Sequence, residues 1–359
     1  MNIVRIRAAV VAMLGAVALW CGPGCTKAPD NTTPPATPGQ ATSATQTATP
    51  TAMRSVRIGM VAKSETNDVF QAAKQGALDA AAEAPAKYGV KVEIEWRTPT
   101  DEDAQKQAQA ISSLADEHVD GITVSCSDAK ILTPAINDAS SAGIPVVCFD
   151  SDAPDSKRLC DYGTDDIECG RIIMAELAKV MNEQGTVAIL AGNPGAPNLQ
   201  LRVKGAEEEL AKHPNMKLAD NGVVNHVESP EAAAEAVKQK MAANPGQIQG
   251  WAMIGGWPLF TSNSLDWDPG TVKVVSCDAL PKEMAYLTDG HVQMLVAQDC
   301  YGWGHETVNI LLDKIVKNQD PAKAKIPNPL TKVTKDGGPT PDIKSVAEFS
   351  GYWDKWLKK

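Results

Sequence analysis

Two aspartates follow a short apolar run near the middle of the chain. Residues 146–154 read VVCFDSDAP, so Asp150 ends the run and Asp152 comes two residues later. Carboxylates at the tip of a buried strand can act as nucleophile and general acid, hold a metal ion, or accept hydrogen bonds from the hydroxyl groups of a ligand. The strands and helices predicted around this pair decide which of these three roles it has.

An Asp-x-Asp strand end is how haloacid-dehalogenase-type phosphatases present a nucleophile and a general acid. That arrangement belongs on the first strand, with Thr or Val two residues beyond the second aspartate, whereas Pro154 stands there in this chain. The motif also follows the third predicted strand. We therefore interpret Asp150 as a ligand contact and Asp152 as a residue that solvates the turn before Lys157 and Arg158, and keep a phosphatase as the alternative.

Polar side chains follow the other predicted strands as well. These stretches are KSETND after 56–62, SCSDA after 121–124, GNPGAPN after 186–191, GGWP after 250–254, CDALP after 272–276 and QDCYGW after 291–297. Ligands of open α/β sheets bind outside the carboxyl ends of the strands. Amides and carboxylates beside Phe70 and Trp257 suit a polyhydroxylated ring, because polar groups bond its hydroxyls and aromatic planes cover its C–H faces.

Strand and helix patterns alternate from residue 54 onward. VRIGMVA and VKVEIEW have the character of strands, and DVFQAAKQGALDAAAEAPAKYG between them has the character of a helix. The alternation restarts at RLCDYG and continues through TVAILAG to VKVVSCD. Two successive α/β units predict an α/β protein of two Rossmann-like lobes, each with a parallel sheet covered by helices.

From about residue 54 to 333 the chain resembles the periplasmic sugar-binding proteins of the ribose and galactose type, the substrate-binding subunits of ABC importers. The resemblance is carried by RIGMVAKSETNDVFQAAKQGALDAA, GIPVVCFDSDAP, GTDDIECGR, RVKGAEEEL, VKVVSCDALPKEMAYLTDG and VAQDCYGWG. It implies lobes that close on ligand about a hinge of three crossing segments, near 163–165, 298–299 and 327–328. The lobes implied are 54–163 plus 299–327, and 164–298 plus 328–359.

The same resemblance assigns ligand contacts in both lobes. They are Asn67, Phe70, Asp150, Arg202, Asp278 and Gln298. It implies that the two aspartates accept hydrogen bonds from sugar hydroxyls. The amides and the guanidinium donate hydrogen bonds, and Phe70 stacks on the ring.

The chain departs from the family pattern at several pocket positions. Ser151 follows Asp150 where the family often has Arg, and GGWPLF replaces NDxxA, which adds Trp257 as a ring platform or as packing. Lys63 stands where Ser or Thr is common. We therefore expect a reworked pocket that includes Lys63 and Trp257. Lys63 and Arg202 could pair with the carboxylate of a sugar acid.

The N-terminal segment has the layout of an export signal. It begins with two arginines in MNIVRIR. An apolar stretch follows, AAVVAMLGAVALW, which is too short for a comfortable membrane span, and the segment ends in the small residues of CGPGC. We predict a signal over 1–25, with lipidation at Cys25 or simple cleavage as the two outcomes. Residues 26–53, rich in Thr, Pro, Ala and Ser, are predicted to be a disordered tether.

Composition excludes several classes of protein and site. The net charge of −10, with no basic run, argues against a nucleic-acid partner. The five histidines form no spaced cluster and no CxxC occurs, so we predict no metal, no cofactor and no catalysis. Export permits disulfides, and one bridge could form among three of the cysteines, Cys160, Cys169 and Cys300.

The sequence therefore predicts a periplasmic, monomeric solute-binding protein, which lipidation at Cys25 would hold at the membrane. It would capture a monosaccharide or a related polyol or sugar acid between its lobes and deliver it to an ABC permease in the inner membrane. A sensor that presents the bound state to a membrane receptor is the alternative with the same cleft.

Overall fold

The computed structural model describes residues 53–336. The predicted export signal, the lipidation at Cys25, all but the last residue of the tether, and residues 337–359 lie outside that range. Within it, no helix combines the length and apolar character needed to cross a membrane.

The first of two sheets has six strands: β1 (Ser55–Val61), β2 (Lys91–Trp96), β3 (Gly121–Val124), β4 (Val146–Phe149), β5 (Cys160–Thr164) and β11 (Lys325–Asn328). They lie in the order β11-β5-β4-β3-β1-β2, and every pairing is parallel. Its helices are α1 (Asp68–Tyr88), α2 (Ala104–Asp116), α3 (Ala129–Ser141) and α8 (Cys300–Lys317). Helix α1 packs on α8, and α2 packs on α3.

The second sheet repeats this plan with β6 (Gly185–Gly192), β7 (Met216–Asn225), β8 (Gly250–Met253), β9 (Lys273–Cys277), β10 (Met294–Ala297) and β12 (Thr331–Val333). The order is β12-β10-β9-β8-β6-β7, with β12 antiparallel to β10 and the other pairings parallel. Its helices are α4 (Asp166–Val180), α5 (Pro197–Leu210), α6 (Pro230–Ala243) and α7 (Glu283–Asp289).

The central strands are buried on both faces, as parallel strands between helical layers must be. Every residue of β3, β4, β8 and β10 is buried. Along β4, Val146 and Cys148 join the apolar cluster under α2 and α3, while Val147 and Phe149 join the cluster under α1 and α8. The two-lobe α/β fold predicted from the alternating pattern is confirmed.

The chain passes between the sheets three times, after β5, after β10 and after β11. One hydroxyl contacts all three passages: Thr164 Oγ1 lies 2.7 Å from Gln298 Oε1 and 3.2 Å from Asn328 Oδ1. These contacts tie the connecting segments together at the base of the cleft between the lobes. The lobe boundaries given by the family resemblance stay a prediction.

Helices α4 and α5 approach so closely that only glycine fits at their crossing. A Cβ atom on Gly170 would lie 1.9 Å from the Arg202 carbonyl oxygen, and one on Gly205 would lie 2.0 Å from the Ile167 carbonyl oxygen. The corresponding contact between α1 and α8 uses Gly76 and Gly304. Because Arg202 lies on α5 at this crossing, the glycine contact fixes its backbone relative to α4.

Candidate functional site

Two aspartates occupy matching positions in the two lobes. Asp150 follows β4 with φ of 58°, and Asp278 follows β9 with φ of 70°. Left-handed backbone is uncommon for residues other than glycine, although aspartate tolerates it better than most, and such conformations cluster at functional sites. Both side chains line one cavity between the lobes.

That cavity brings together all eight ligand contacts predicted from the sequence: Lys63, Asn67, Phe70, Asp150, Arg202, Trp257, Asp278 and Gln298. Its wall also contains Val69, Asn198, Leu199, Glu228, Gly255 and Trp303. The volume is about 20 Å³, room for about one water molecule, because side chains from the two lobes fill the space themselves. The ligand roles of these residues stay predictions.

Asp150 is held by groups from both lobes. The Ser125 hydroxyl donates to its Oδ2 at 2.8 Å, and the Asn198 amide donates to its Oδ1 at 3.0 Å. Lys63 Nζ and Arg202 Nη2 each lie 3.9 Å from one of its oxygens. Asn198 and Arg202 belong to α5, whereas Asp150 follows β4, so these contacts join the two lobes across the cleft.

Arg202 lies at the base of the cavity, and each of its three guanidinium nitrogens donates a hydrogen bond. Its Nε donates to Asp166 Oδ1 at 2.9 Å, its Nη1 to the Ile254 carbonyl at 3.1 Å, and its Nη2 to Gln298 Oε1 at 2.6 Å. Burial raises the pKa of Asp166 to about 6, against the attraction of Arg202. Arg202 therefore orders the acceptors around it as well as lining the cavity.

Asp278 is fixed by two donors of its own. The Gln298 side-chain amide donates to Oδ1 at 2.7 Å, and the Gly256 backbone N–H donates to Oδ2 at 3.2 Å. Burial raises the pKa of Asp278 in spite of these donors and of the positive charge of Arg202. Each oxygen keeps a lone pair that could accept from a ligand hydroxyl.

Lys63 faces a carboxyl group that the sequence analysis did not single out. Its Nζ lies 3.6 Å from Glu228 Oε1 and donates to Asn198 Oδ1 at 3.4 Å. The attraction of Glu228 and Asp150 outweighs the effect of burial and raises the pKa of Lys63. Burial raises the pKa of Glu228 to about 8, against the attraction of Lys63.

Glu228 could have been found by the argument that found the other residues. It comes three residues after the end of β7, at the carboxyl edge of the second sheet. The list of strand ends in the sequence omitted this one, although HVE follows VVN directly.

Aromatic side chains form two walls of the cavity. Phe70 and Trp303 line one wall and pack with Phe149, with ring centroids 6.3–6.4 Å apart. Trp257 lines the cavity from the second lobe, with the His226 ring edge-on at 4.9 Å. Trp303 is buried in the core and also lines the cavity.

Asp152, the partner of Asp150 in the VVCFDSDAP stretch, is absent from the cavity wall. Both of its carboxylate oxygens accept hydrogen bonds from Arg158, six residues later. The two aspartates therefore have different surroundings, although a phosphatase would need both at one site. Across residues 53–336, no group of three or more His, Cys, Asp or Glu side chains is arranged to hold a metal ion.

The bridge that the sequence left open among three cysteines is absent from the described part of the chain. Cys160 lies in β5, Cys169 in α4 and Cys300 at the start of α8, and all three are buried free thiols. The nearest thiol to Cys169 is instead Cys277, with the two sulfurs 3.7 Å apart. Sequence separation does not reveal which helix packs on which strand, so it could not show that Cys169 faces Cys277.

A model of the periplasmic binding protein domain matches residues 58–319. The chain belongs to this family. The family consists of substrate-binding transport proteins that act in the periplasm or elsewhere outside the cytoplasm, so the resemblance inferred from the sequence is confirmed.

The chain spans about half the length of each of the two curated relatives described next. A xylitol-binding protein of Mycolicibacterium smegmatis is 27% identical over 159 residues, which cover 44% of this chain and 45% of that protein. A ribose import binding protein of Bacillus subtilis is 28% identical over 148 residues, which cover 41% of this chain and 46% of that protein.

Solved structures match over nearly their whole length. An ABC transporter solute-binding protein of Burkholderia graminis, in complex with D-arabinose, is 27% identical with a TM-score of 0.71, covering 80% of this chain and 97% of that one. A glucose-galactose binding protein of Geobacillus stearothermophilus shares the fold with a TM-score of 0.70 at 23% identity, covering 78% of this chain and 98% of that one.

Proposed function

We propose that this periplasmic binding protein captures a monosaccharide or related polyol between its lobes and delivers it, chemically unchanged, to an ABC permease. The names of the relatives support this ligand class, since they bind xylitol or import ribose, and a similar structure holds D-arabinose. The wall of the cavity supports it independently, through paired aspartates, amides and aromatic rings.

One observation carries the proposal. Trp303 lines the cavity, and its indole N–H is buried and has no acceptor among the described residues. A buried donor without a partner costs about 1–3 kcal/mol, which a ligand hydroxyl oxygen would recover. The indole ring beside Phe70 provides an apolar face for the C–H side of the same ligand.

The small volume of the cavity implies a cycle of opening and closing. A sugar ring does not fit into about 20 Å³, so ligand must enter while the lobes are apart. Binding then exchanges the contacts of Asn198 with Lys63 and Asp150 for contacts with ligand hydroxyls. Ligand favours the closed state because it bonds both lobes there and only one lobe when they are open.

The arrangement of charges narrows the ligand class. Lys63 lies 3.6 and 3.9 Å from two carboxyl groups, and Arg202 donates to Asp166, so a ligand carboxylate would compete with carboxyl groups that already face each cation. A sugar acid would also meet Asp278 and the other carboxylates of the cavity. We therefore propose ligands without an acidic group.

A thermal-shift screen over neutral monosaccharides and polyols tests the proposal. A ligand that binds only the folded protein raises the melting temperature as its concentration rises. Asp150→Asn and Asp278→Asn should each weaken binding roughly ten- to a hundredfold, because a hydrogen bond to a charged acceptor contributes about 1.5–3 kcal/mol. Asp155→Asn, on the exposed loop beyond Asp150, is the matched control and should leave binding unchanged.

Circular dichroism and the melting temperature without ligand establish that each variant folds. The proposal fails if no compound of the panel shifts the melting temperature, or if a shift survives unchanged in both cavity variants.

A further inference from the structure

Two cysteines from distant parts of the chain meet in the core of the second lobe. The sulfur atoms of Cys169 and Cys277 lie 3.7 Å apart, although 108 positions separate the two residues. Cys169 lies in the first turns of α4, and Cys277 is the last residue of β9, on which α4 packs. Because a disulfide bond is about 2.0 Å long, the two sulfurs need to approach by only about 1.7 Å to form one.

The pair of thiols lies directly behind the candidate site. Asp278 follows Cys277 in the chain, and Arg202 Nη1 donates to Cys277 Sγ at 3.3 Å. Arg202 Nε donates to Asp166, which lies on α4 three residues before Cys169. A covalent bond between the two cysteines would therefore join the two elements that Arg202 already contacts at the base of the cavity.

The compartment in which the family acts favours such a bond. Periplasmic binding proteins act outside the cytoplasm. Disulfides form and persist in the periplasm and in other extracytoplasmic spaces, whereas the cytoplasm keeps thiols reduced. Two cysteine side chains that contact each other in the folded state are therefore in a compartment that supplies an oxidant for them.

We propose that Cys169 and Cys277 form a disulfide bond in the exported protein, and that this bond stabilises the second lobe by joining α4 to the end of β9. The oxidant is a disulfide, either oxidised glutathione or a protein disulfide. One cysteine thiolate attacks that disulfide and releases a thiol, and the second attacks the resulting mixed disulfide and releases the other. The two cysteines lose two electrons and two protons, which the two released thiols carry away.

Burial determines when the bond forms. Both side chains are fully buried, so an oxidant cannot reach them once α4 covers β9. Burial also raises the pKa of the Cys277 thiol, and the thiolate is the form that attacks a disulfide. The exchange therefore takes place during folding, before the lobe is closed. The same burial protects the finished bond from reductants.

Disulfide mapping of the full chain, expressed with export to the periplasm, tests the inference. The protein is denatured without reduction in slightly acidic buffer, its free thiols are blocked with N-ethylmaleimide, and the digest is analysed by mass spectrometry. A linked pair of peptides that contain Cys169 and Cys277 should be found, and it should disappear after treatment with dithiothreitol. Neither cysteine should carry the blocking group until the protein has been reduced.

Stability provides a second readout. The protein is unfolded in urea and refolded with either oxidised glutathione or dithiothreitol. The oxidised protein should melt about 5 °C or more above the reduced one, because a bond between residues so far apart restricts the unfolded chain. Cys277→Ala should remove this difference between the two preparations. Cys160→Ala also deletes a buried thiol, in β5, and should leave the difference unchanged.

Each contrary result overturns the inference. The first is that Cys169 and Cys277 both carry the blocking group in the unreduced exported protein, and the second is that either is linked to a different cysteine. A melting temperature that is equal in the two preparations, or a difference that persists in Cys277→Ala, also overturns it. Neither readout uses a ligand, so this test and the test of the proposed function succeed or fail separately.

Discussion

Arg202 shows how a single residue connects the candidate site to the stability of the fold. Its guanidinium bonds Asp166, the Ile254 carbonyl and Gln298, which belong to different segments of the second lobe and its connections. Removing it would leave the buried Asp166 carboxylate with only Lys325, whose Nζ lies 3.8 Å from Oδ2. Breaking a buried pair in this way is far more costly than replacing both partners by apolar groups.

We therefore expect Arg202→Met to lower the free energy of unfolding by about 3–5 kcal/mol, and Arg202→Met combined with Asp166→Leu to recover most of that loss. Urea unfolding followed by circular dichroism measures both. A double variant as unstable as the single one would show that Arg202 stabilises the protein through its other bonds. The unfolding slope against urea must stay constant for the comparison to be valid.

Helix α5 positions Arg202 and Asn198, and its place depends on the glycine contact with α4. The Cβ atom of an alanine at 170 would lie 1.9 Å from the Arg202 carbonyl oxygen, and this neighbour is backbone, which cannot rotate away. The helices must separate to accept the substitution. The packing of α5 on α4, and with it the position of Arg202 and Asn198, thus depends on the absence of a side chain at position 170.

Gly170→Ala should lower the free energy of unfolding by about 1–3 kcal/mol, the usual cost of overpacking. It should also weaken binding of any ligand found in the thermal-shift screen, because Arg202 and Asn198 move with α5. Urea unfolding and calorimetric titration measure the two effects. Ser112→Ala, on an exposed position of α2, is the control and should change neither quantity. Unchanged binding in a destabilised Gly170→Ala would separate the helix contact from the site.

On the scale of the whole molecule, buried carboxyl groups without full compensation set how stability depends on pH. Asp161 in β5 is buried beside a crossing segment, its Oδ1 has no hydrogen-bond partner among the described residues, and Lys325 lies 4.0 Å away. Burial raises its pKa from 3.8 to about 8. The folded protein therefore binds this proton more tightly than the unfolded chain.

Stability should consequently fall as pH rises between the unfolded value of 3.8 and about 8, because the folded state holds more protons across that window. Asp161→Asn removes the titratable carboxyl group. It should flatten the decline in melting temperature over the same range and raise stability at the alkaline end. Melting temperatures measured across the window check the prediction. Asp155→Asn is the exposed control. A decline equally steep in Asp161→Asn would assign the pH dependence to other groups.

Much of the fold could be predicted from the local pattern of apolar and polar residues. The alternation of strands and helices predicted both sheets, because parallel strands buried on two faces leave a recognisable apolar run. Strand ends such as those before Asp150 and Asp278 indicated where ligand groups would lie. All eight residues named on this basis and by resemblance line one cavity.

The omissions share one physical cause. The interaction of Glu228 with Lys63, the place of Trp303 in the cavity wall, and the contact between Cys169 and Cys277 all join segments distant in the chain. Sequence periodicity reports which face of an element is buried, and it does not report what lies opposite. Those partners depend on how elements from two lobes pack.

The amino-acid sequence by itself determined the two α/β units, the edge of each sheet at which polar residues collect, and the family to which they correspond, since each follows from short-range pattern and order along the chain. Only the tertiary structure decided the charge balance of the cavity and the engagement of its cations. The reason is that Coulomb energy depends on distance and burial, and both are set when residues from opposite lobes, such as Lys63 and Glu228, come within 3.6 Å.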